Sequence, residues 1–398
     1  MHRNLYLNKP IIYFIATLSI LTFSIAFTSS IYPYYVLSLK IDMTTYGLIN
    51  TLSSIINIFL RTPFSTLFPM IGYFKSYCIS YILLILSRFF YIASIFLYPL
   101  IMFMFARIFM DMRYAMISTA RTAVVTKYVE SKNRAFTLGF ISSLTIVFSS
   151  ISPFIGSYLY EKLDYNFQQL FSISILISLI AIIPLIILVR KYEIIERKEK
   201  SLGIIFQIKM IPKIIAYKDL KEIFFISMID GFAWSISGNF FQIYLAKELS
   251  VKPSELAILN LIENIIAIFG LTYIGHISDR LRKRVIFLFI SEVLGIFSLL
   301  FFIMATNVFQ IFFIWILQAF VWIMWSPIIS AYISEKAEKF SQKFVPLTLG
   351  VWGFLNNVAR TPGNVIGGYL YDTNPRYPFI FTVILLLIIS IMILRLKD

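Results

Sequence analysis

The residues able to do chemistry in this chain are few, and they sit inside long apolar stretches. Arg61, Arg88, Arg107, Asp111 and Arg113 lie in the first half, and Asp230, Glu263 and Arg360 in the second. A charge at the centre of a bilayer costs roughly 2.5 to 3.5 kcal/mol, so each needs a partner or a task. Arg107 and Asp111, four apart, share a helix face one turn from each other and can pair. Arg113 projects about 200° around the helix from Asp111. Asp230 and Glu263 have no cation beside them in their own helices, which makes them the candidates for taking up and releasing a proton. Arg88 reads as a snorkelling or structural residue.

Aromatic and amide side chains form a second set. Phe232, Trp234, Tyr244, Trp315, Trp322 and Trp325, with Asn239, Gln242 and Gln318, can hold an organic solute by stacking and hydrogen bonding. Packing and anchoring at the membrane interface are the usual uses of such aromatics. Two histidines, His2 and His276, and one cysteine, Cys78, offer no metal or redox site. With no nucleophile elbow or paired catalytic carboxylates, the expectation is no enzyme, no cofactor and no metal.

The elements that must position these residues follow from composition. Hydrophobic residues make up 59% and charged residues 14% of the 398 positions, against about 45 to 50% and 25% in soluble domains. Apolar stretches long enough to cross a bilayer recur along the whole chain, so the first is not expected to be a removable signal peptide. Candidate membrane helices are Ile11 to Leu39, Thr44 to Ile71, Tyr77 to Tyr98, Leu100 to Val125, Ala135 to Tyr160 and Phe167 to Val189. Six more run from Ile223 to Ala246, Ser254 to Ile277, Val285 to Thr306, Val308 to Ile333, Val345 to Tyr371 and Pro378 to Leu394. The net charge of +15 is spread between these spans rather than gathered on one face, which argues against nucleic acid.

Lysines and arginines collect in alternate loops, 25 on one side and 5 on the other, with Arg121 counted in the loop it adjoins. Positive residues mark the cytoplasmic side, so both termini are expected there. The chain also repeats itself at an offset of 210 to 211 residues. Ile155-Gly156-Ser157-Tyr158-Leu159-Tyr160-Glu161 matches Ile366-Gly367-Gly368-Tyr369-Leu370-Tyr371-Asp372, Thr137-Leu138-Gly139 matches Thr348-Leu349-Gly350, and Ile55 to Phe59 aligns with Ile265 to Phe269. Six helices therefore repeat in the same orientation, giving bundles at 1–189 and 223–398. The segment 190–222 between them carries nine basic residues and the apolar set Ile204, Ile205, Phe206, Ile208 and Ile211. It reads either as a linker lying on the anionic inner leaflet or as a structureless charged tether.

Gly275-His276-Ile277-Ser278-Asp279-Arg280-Leu281-Arg282-Lys283-Arg284, between the eighth and ninth helices, resembles the loop signature of the major facilitator superfamily, G-x-L-A-D-R-x-G-R-R. The two six-helix halves and the basic central loop extend the resemblance over the whole chain. It implies an all-α fold of twelve membrane helices in two bundles. It also implies a monomeric cell-membrane carrier of a small solute, working by alternating access and closest in motifs to proton-coupled drug and metabolite carriers. Gly275, Asp279, Arg280, Lys283 and Arg284 would form a cytoplasmic gate. Helices one, four, seven and ten would line the cavity, which ranks Asp230, Arg107, Asp111 and Arg113 first and Arg61, Glu263 and Arg360 next. Arg107 falls near the family's fourth-helix arginine in R-x-x-x-G, with Asp111 at the glycine.

Departures qualify the likeness. Arg282 replaces the second glycine, and Pro69 stands where the first half should carry an aspartate. Ser152-Pro153-Phe154-Ile155-Gly156-Ser157 is a weakened form of the antiporter motif G-P-x-x-G-G and favours export. The basic first half favours proton-coupled uptake of an organic anion instead, and uptake of a sugar or a non-transporting receptor on the same scaffold are the other readings.

Overall fold

The computed structural model describes residues 8–130, 133–193, 211–281, 283–340 and 345–397. These residues form helices throughout: α1 (Lys9–Ala26), α2 (Tyr32–Ser38), α3 (Met43–Ile71), α4 (Tyr73–Ala93), α5 (Pro99–Tyr128), α6 (Arg134–Lys162), α7 (Phe167–Ile180) and α8 (Ile182–Tyr192). After the central segment come α9 (Lys218–Gly238), α10 (Phe241–Lys247), α11 (Pro253–Leu281), α12 (Arg284–Met304), α13 (Val308–Phe340), α14 (Val345–Thr373) and α15 (Tyr377–Ile393). Nine helical stretches among the described residues are long and apolar enough to cross a membrane. The three other expected spans are α5 and α14, which carry the charged and amide residues, and α15, which is short at 17 residues. The array is that of twelve membrane helices, in each of which the backbone amides bond within their own segment, as lipid requires.

Three expected spans are each broken into two helices. The first breaks after Ala26, where Thr28 and Ser29 turn their hydroxyls back onto the carbonyls of Ile25 and Ala26 and Pro33 then starts α2. Such side chains compete with the helical ladder. The sixth breaks at Ala181, three residues before Pro184, whose missing N–H would have met that ladder. The seventh breaks at Asn239 and Phe240, after Gly238.

The chain divides into two compact units. One comprises 1–41, 52–199 and 252–258, and the other 42–51, 200–251 and 259–398. Most of the expected linker, 194–210, lies outside the described residues, as does Arg282. In the first unit, α1 and α7 are tied by reciprocal serine bonds of 2.7 Å, Ser24 Oγ to the Ser174 carbonyl and Ser174 Oγ to the Ser24 carbonyl. Ser87 on α4 donates to the Ala106 carbonyl on α5 at 2.8 Å. Small hydroxyl residues at such contacts let membrane helices approach closely. In the second unit, Phe241, Tyr244, Phe302 and Phe379 form an aromatic core, with Trp315 against Phe241.

The repeat has a structural meaning. A Cβ on Gly156 of α6 would strike the Phe27 carbonyl, and one on its counterpart Gly367 of α14 would strike the Ile236 carbonyl. Each glycine lets its helix press against the end of the helix that opens its half. Phe59 and its repeat partner Phe269 are 74% and 72% exposed, the pattern of side chains that face lipid.

Candidate functional site

Unit by unit, the intramembrane charges fall into three groups. In the second unit, Asp230 sits in the middle of α9 and is 4% exposed. The carboxyl of Glu292 on α12, 1% exposed, lies within electrostatic reach of it. Trp234 stands one turn beyond Asp230 on α9, and the charge of Arg360 on α14 reaches the carboxyl. Gly295, three residues past Glu292, leaves room for the Trp234 ring, 3.1 Å from where a Cβ would stand. One oxygen of each acid, Asp230 Oδ1 and Glu292 Oε2, is buried without a hydrogen-bond partner among the described residues. Two carboxyl groups can bond to each other only if one of them carries a hydrogen.

Glu292 was not singled out by the sequence reading. Its signal was present, since it is the only charged residue in the span Val285 to Thr306. Glu263, the other expected proton carrier, is half-buried on α11 with Trp315 of α13 as its polar neighbour.

The first unit gathers cations. Arg107 and Asp111 on α5 form the expected pair, at 3.7 Å and with both side chains partly open. The Asp111 carbonyl accepts a bond from Asn57 of α3 at 2.8 Å. Arg113 is 5% exposed and has no hydrogen-bond or ion-pair partner among the described residues. Its guanidinium lies 5.6 Å from the centre of the Tyr114 ring. A cation over a ring contributes about 0.5 to 2 kcal/mol, less than the several kcal/mol that burying an unpaired ion costs. Arg88 does not snorkel. It is 3% exposed, donates to the Ile25 carbonyl at 3.2 Å and lies over the rings of Tyr91 and Phe171. Arg61 on α3 is exposed, with no partner among the described residues.

The third group is the loop between α11 and α12. Arg284 gathers Asp279, Glu335 of α13 at 2.8 Å and the Ser278 hydroxyl at 2.7 Å. Arg280 and Lys283 are exposed and stand outside this knot, and the space beside Gly275 is open. Glu335 is an addition the sequence signature does not contain, because it comes from a helix some 50 residues later.

The expected solute-binding side chains divide. Tyr244 and Trp315 belong to the aromatic core, and Gln318 accepts a bond from Ser298 of α12 at 2.9 Å. Asn239 bonds Asn364 of α14 at 2.8 Å, while Gln242 is half-buried and Trp322 is 49% exposed.

Two like halves of apolar helices with charges at chosen internal positions define a multi-pass membrane protein. The family model of the Major Facilitator Superfamily matches residues 12–215 and 223–398, and the chain belongs to that superfamily of transporters. Its fold is that of solved transporters of low sequence identity. A mutant of the nucleoside transporter NupG matches with a TM-score of 0.76 at 11% identity, over 98% of this chain and 100% of that one. A POT family transporter in complex with a thioalcohol conjugated peptide matches at 0.74 and 14%, over 97% and 95%. One in complex with 5-aminolevulinic acid matches at 0.73 and 14%, over 97% and 94%. No curated protein sequence matches the chain.

Proposed function

We propose that the protein is a proton-coupled secondary transporter of a small organic solute, acting by alternating access in the cell membrane as a monomer with both termini cytoplasmic. The observation that carries the coupling is the approach of two buried carboxyl groups, Asp230 on α9 and Glu292 on α12, with the charge of Arg360 in reach, an arrangement suited to sharing a proton between two helices. Opening that pair to water on one side would let the proton leave, and closing it would require one again. The structural relatives bind peptides, a nucleoside or 5-aminolevulinic acid in the words of their descriptions, which supports a polar organic solute as the class.

Export of a drug or metabolite is the direction we favour, on the remnant antiporter segment. In the first unit, the Pro153 carbonyl of that segment accepts from Ser30, and Ser152 donates to the Phe23 carbonyl, at the break between α1 and α2. Uptake of an organic anion is the second reading, favoured by the buried and uncompensated Arg113.

Purified protein in liposomes loaded with a pH-sensitive dye tests the coupling. Dipeptides, nucleosides, 5-aminolevulinic acid and cationic dyes are offered under an imposed pH gradient. Coupled transport moves protons with the solute, and Asp230→Asn abolishes accumulation while solute exchange continues. Solute flux with no proton movement sinks the coupling, and binding without flux of any kind favours a receptor.

A further inference from the structure

We propose that the first unit binds an oxyanion, a carboxylate or phosphate group, at the Arg113 guanidinium between α4 and α5. The charged side chains that keep an unanswered polar atom differ in sign between the two interiors. Among the described residues of the second unit they are acids, at Asp230 Oδ1 and Glu292 Oε2, beside neutral donors such as Trp315 Nε1. In the first they are arginines, at Nε of Arg88, Arg113 and Arg121, beside hydroxyls such as that of Tyr77. A carboxyl group can resolve its own isolation by taking a proton. A guanidinium cannot, because it has five donors, no acceptor and a permanent charge.

Arg113 is the focus of this set. It is buried, and both Arg88 and Tyr77 lie within electrostatic reach of it. Tyr77 is 1% exposed and its hydroxyl has no hydrogen-bond partner among the described residues. Arg88 spends one donor on the Ile25 carbonyl, and Arg121 spends its own on Ser142 and the Leu138 carbonyl, so both are partly answered. Arg113 has only a ring face among the described residues. The nearest acid on its helix, Asp111, lies about 200° around and is held by Arg107. The missing group must bring both acceptors and negative charge, and a planar guanidinium matches a carboxylate or phosphate with two parallel bonds. Water would bring acceptors without charge.

That a solute carries this group rests on the transporter reading, whereas the affinity for an oxyanion does not. The test therefore separates the two. Thermal unfolding of the purified full-length protein is followed against acetate and against inorganic phosphate, with ionic strength held by a bulky sulfonate. A bound anion raises the midpoint saturably, following RT ln(1 + [L]/Kd). The rise is expected in the wild type and in Arg190→Gln, whose arginine is exposed at the end of α8, and is expected to vanish in Arg113→Gln. Arg113→Lys keeps the charge but loses the fork, and should weaken binding by about tenfold or more. It decides the matter if Arg113→Gln does not fold. Wild type with no saturable rise for either anion, or an undiminished rise in both Arg113 variants, overturns the site. Flux of radiolabelled acetate or phosphate in liposomes then assigns the source: binding without flux marks a resident anion, and binding with flux marks the cargo.

Discussion

Glu161 at the end of α6 and Asp372 at the end of α14 stand 211 positions apart and make the same hydrogen bonds to the start of another helix. Glu161 accepts from the Ser254 amide at 2.6 Å and the Ser254 hydroxyl at 2.9 Å. Asp372 accepts from the Thr44 amide at 2.7 Å and hydroxyl at 2.6 Å, and from the Met43 amide at 2.9 Å. Thr44 and Ser254 are themselves one repeat apart. Each acid thus caps the first turn of α3 or α11, where free amides and the helix dipole both favour a carboxylate.

Loss of a cap of this kind costs about 1 kcal/mol. Glu161→Ala and Asp372→Ala should each lower the unfolding midpoint of the purified protein, and the double variant should show close to the sum, because the two caps lie in different units. Unchanged midpoints in both single variants would mean that the caps are held by water equally well.

Gly156 and Gly367 make a second repeated relationship. Adding a methyl at either position drives it into a backbone carbonyl, which cannot rotate aside. Gly156→Ala and Gly367→Ala should cost about 1 to 3 kcal/mol, as overpacking does. Gly139→Ala, where nothing stands within 4 Å of the added carbon, is the control and should leave stability unchanged. Calorimetry or dye-monitored unfolding gives the ranking.

Arg284 is the hub of the loop knot, and its removal leaves Asp279 and Glu335 side by side without a cation. Arg284→Gln should cost about 1.5 kcal/mol, the low end for charged hydrogen bonds, since both carboxylates are more than half exposed. Asp279→Asn should cost less than 1 kcal/mol because Glu335 still holds Arg284. If Asp279 latches a gate, its variant slows flux more than this small loss of stability explains. Equal flux in Asp279→Asn and wild type removes the latch.

Hydropathy made the spans legible because a bilayer imposes one length and one polarity on every helix. The breaks after Ala26 and at Ala181 were written in Thr28, Ser29 and Pro184, yet apolar residues on both sides hid them. Two features of the site escaped for different reasons. Glu292 lay open to the same rule that picked out Asp230 and Glu263. The isolation of Arg113 did not, because a sequence shows which cations exist and not which of them find acceptors. The Arg107 and Asp111 pair was legible because its geometry is local to one helix.

The acid pair makes the sharpest prediction. Asp230 and Glu292 come from helices about 60 residues apart in sequence and approach each other with both side chains buried. If they share one proton, each acid's variant changes the state of the other. Asp230→Asn leaves Glu292 beside an amide, which can donate to it and removes the need for the shared hydrogen. Glu292→Gln does the same for Asp230. A double-mutant cycle on unfolding should therefore show coupling of about 0.5 to 3 kcal/mol, the range for residues in direct contact. Infrared difference spectra of the wild type should carry the carbonyl band of a buried, protonated carboxylic acid that shifts in heavy water, and both single variants should lose it. Arg360→Gln should keep the band, because the cation tunes the pair without supplying its proton. A cycle with no coupling together with a wild-type spectrum lacking that band would show two acids that merely lie near each other, and the proton would have to be sought at Glu263.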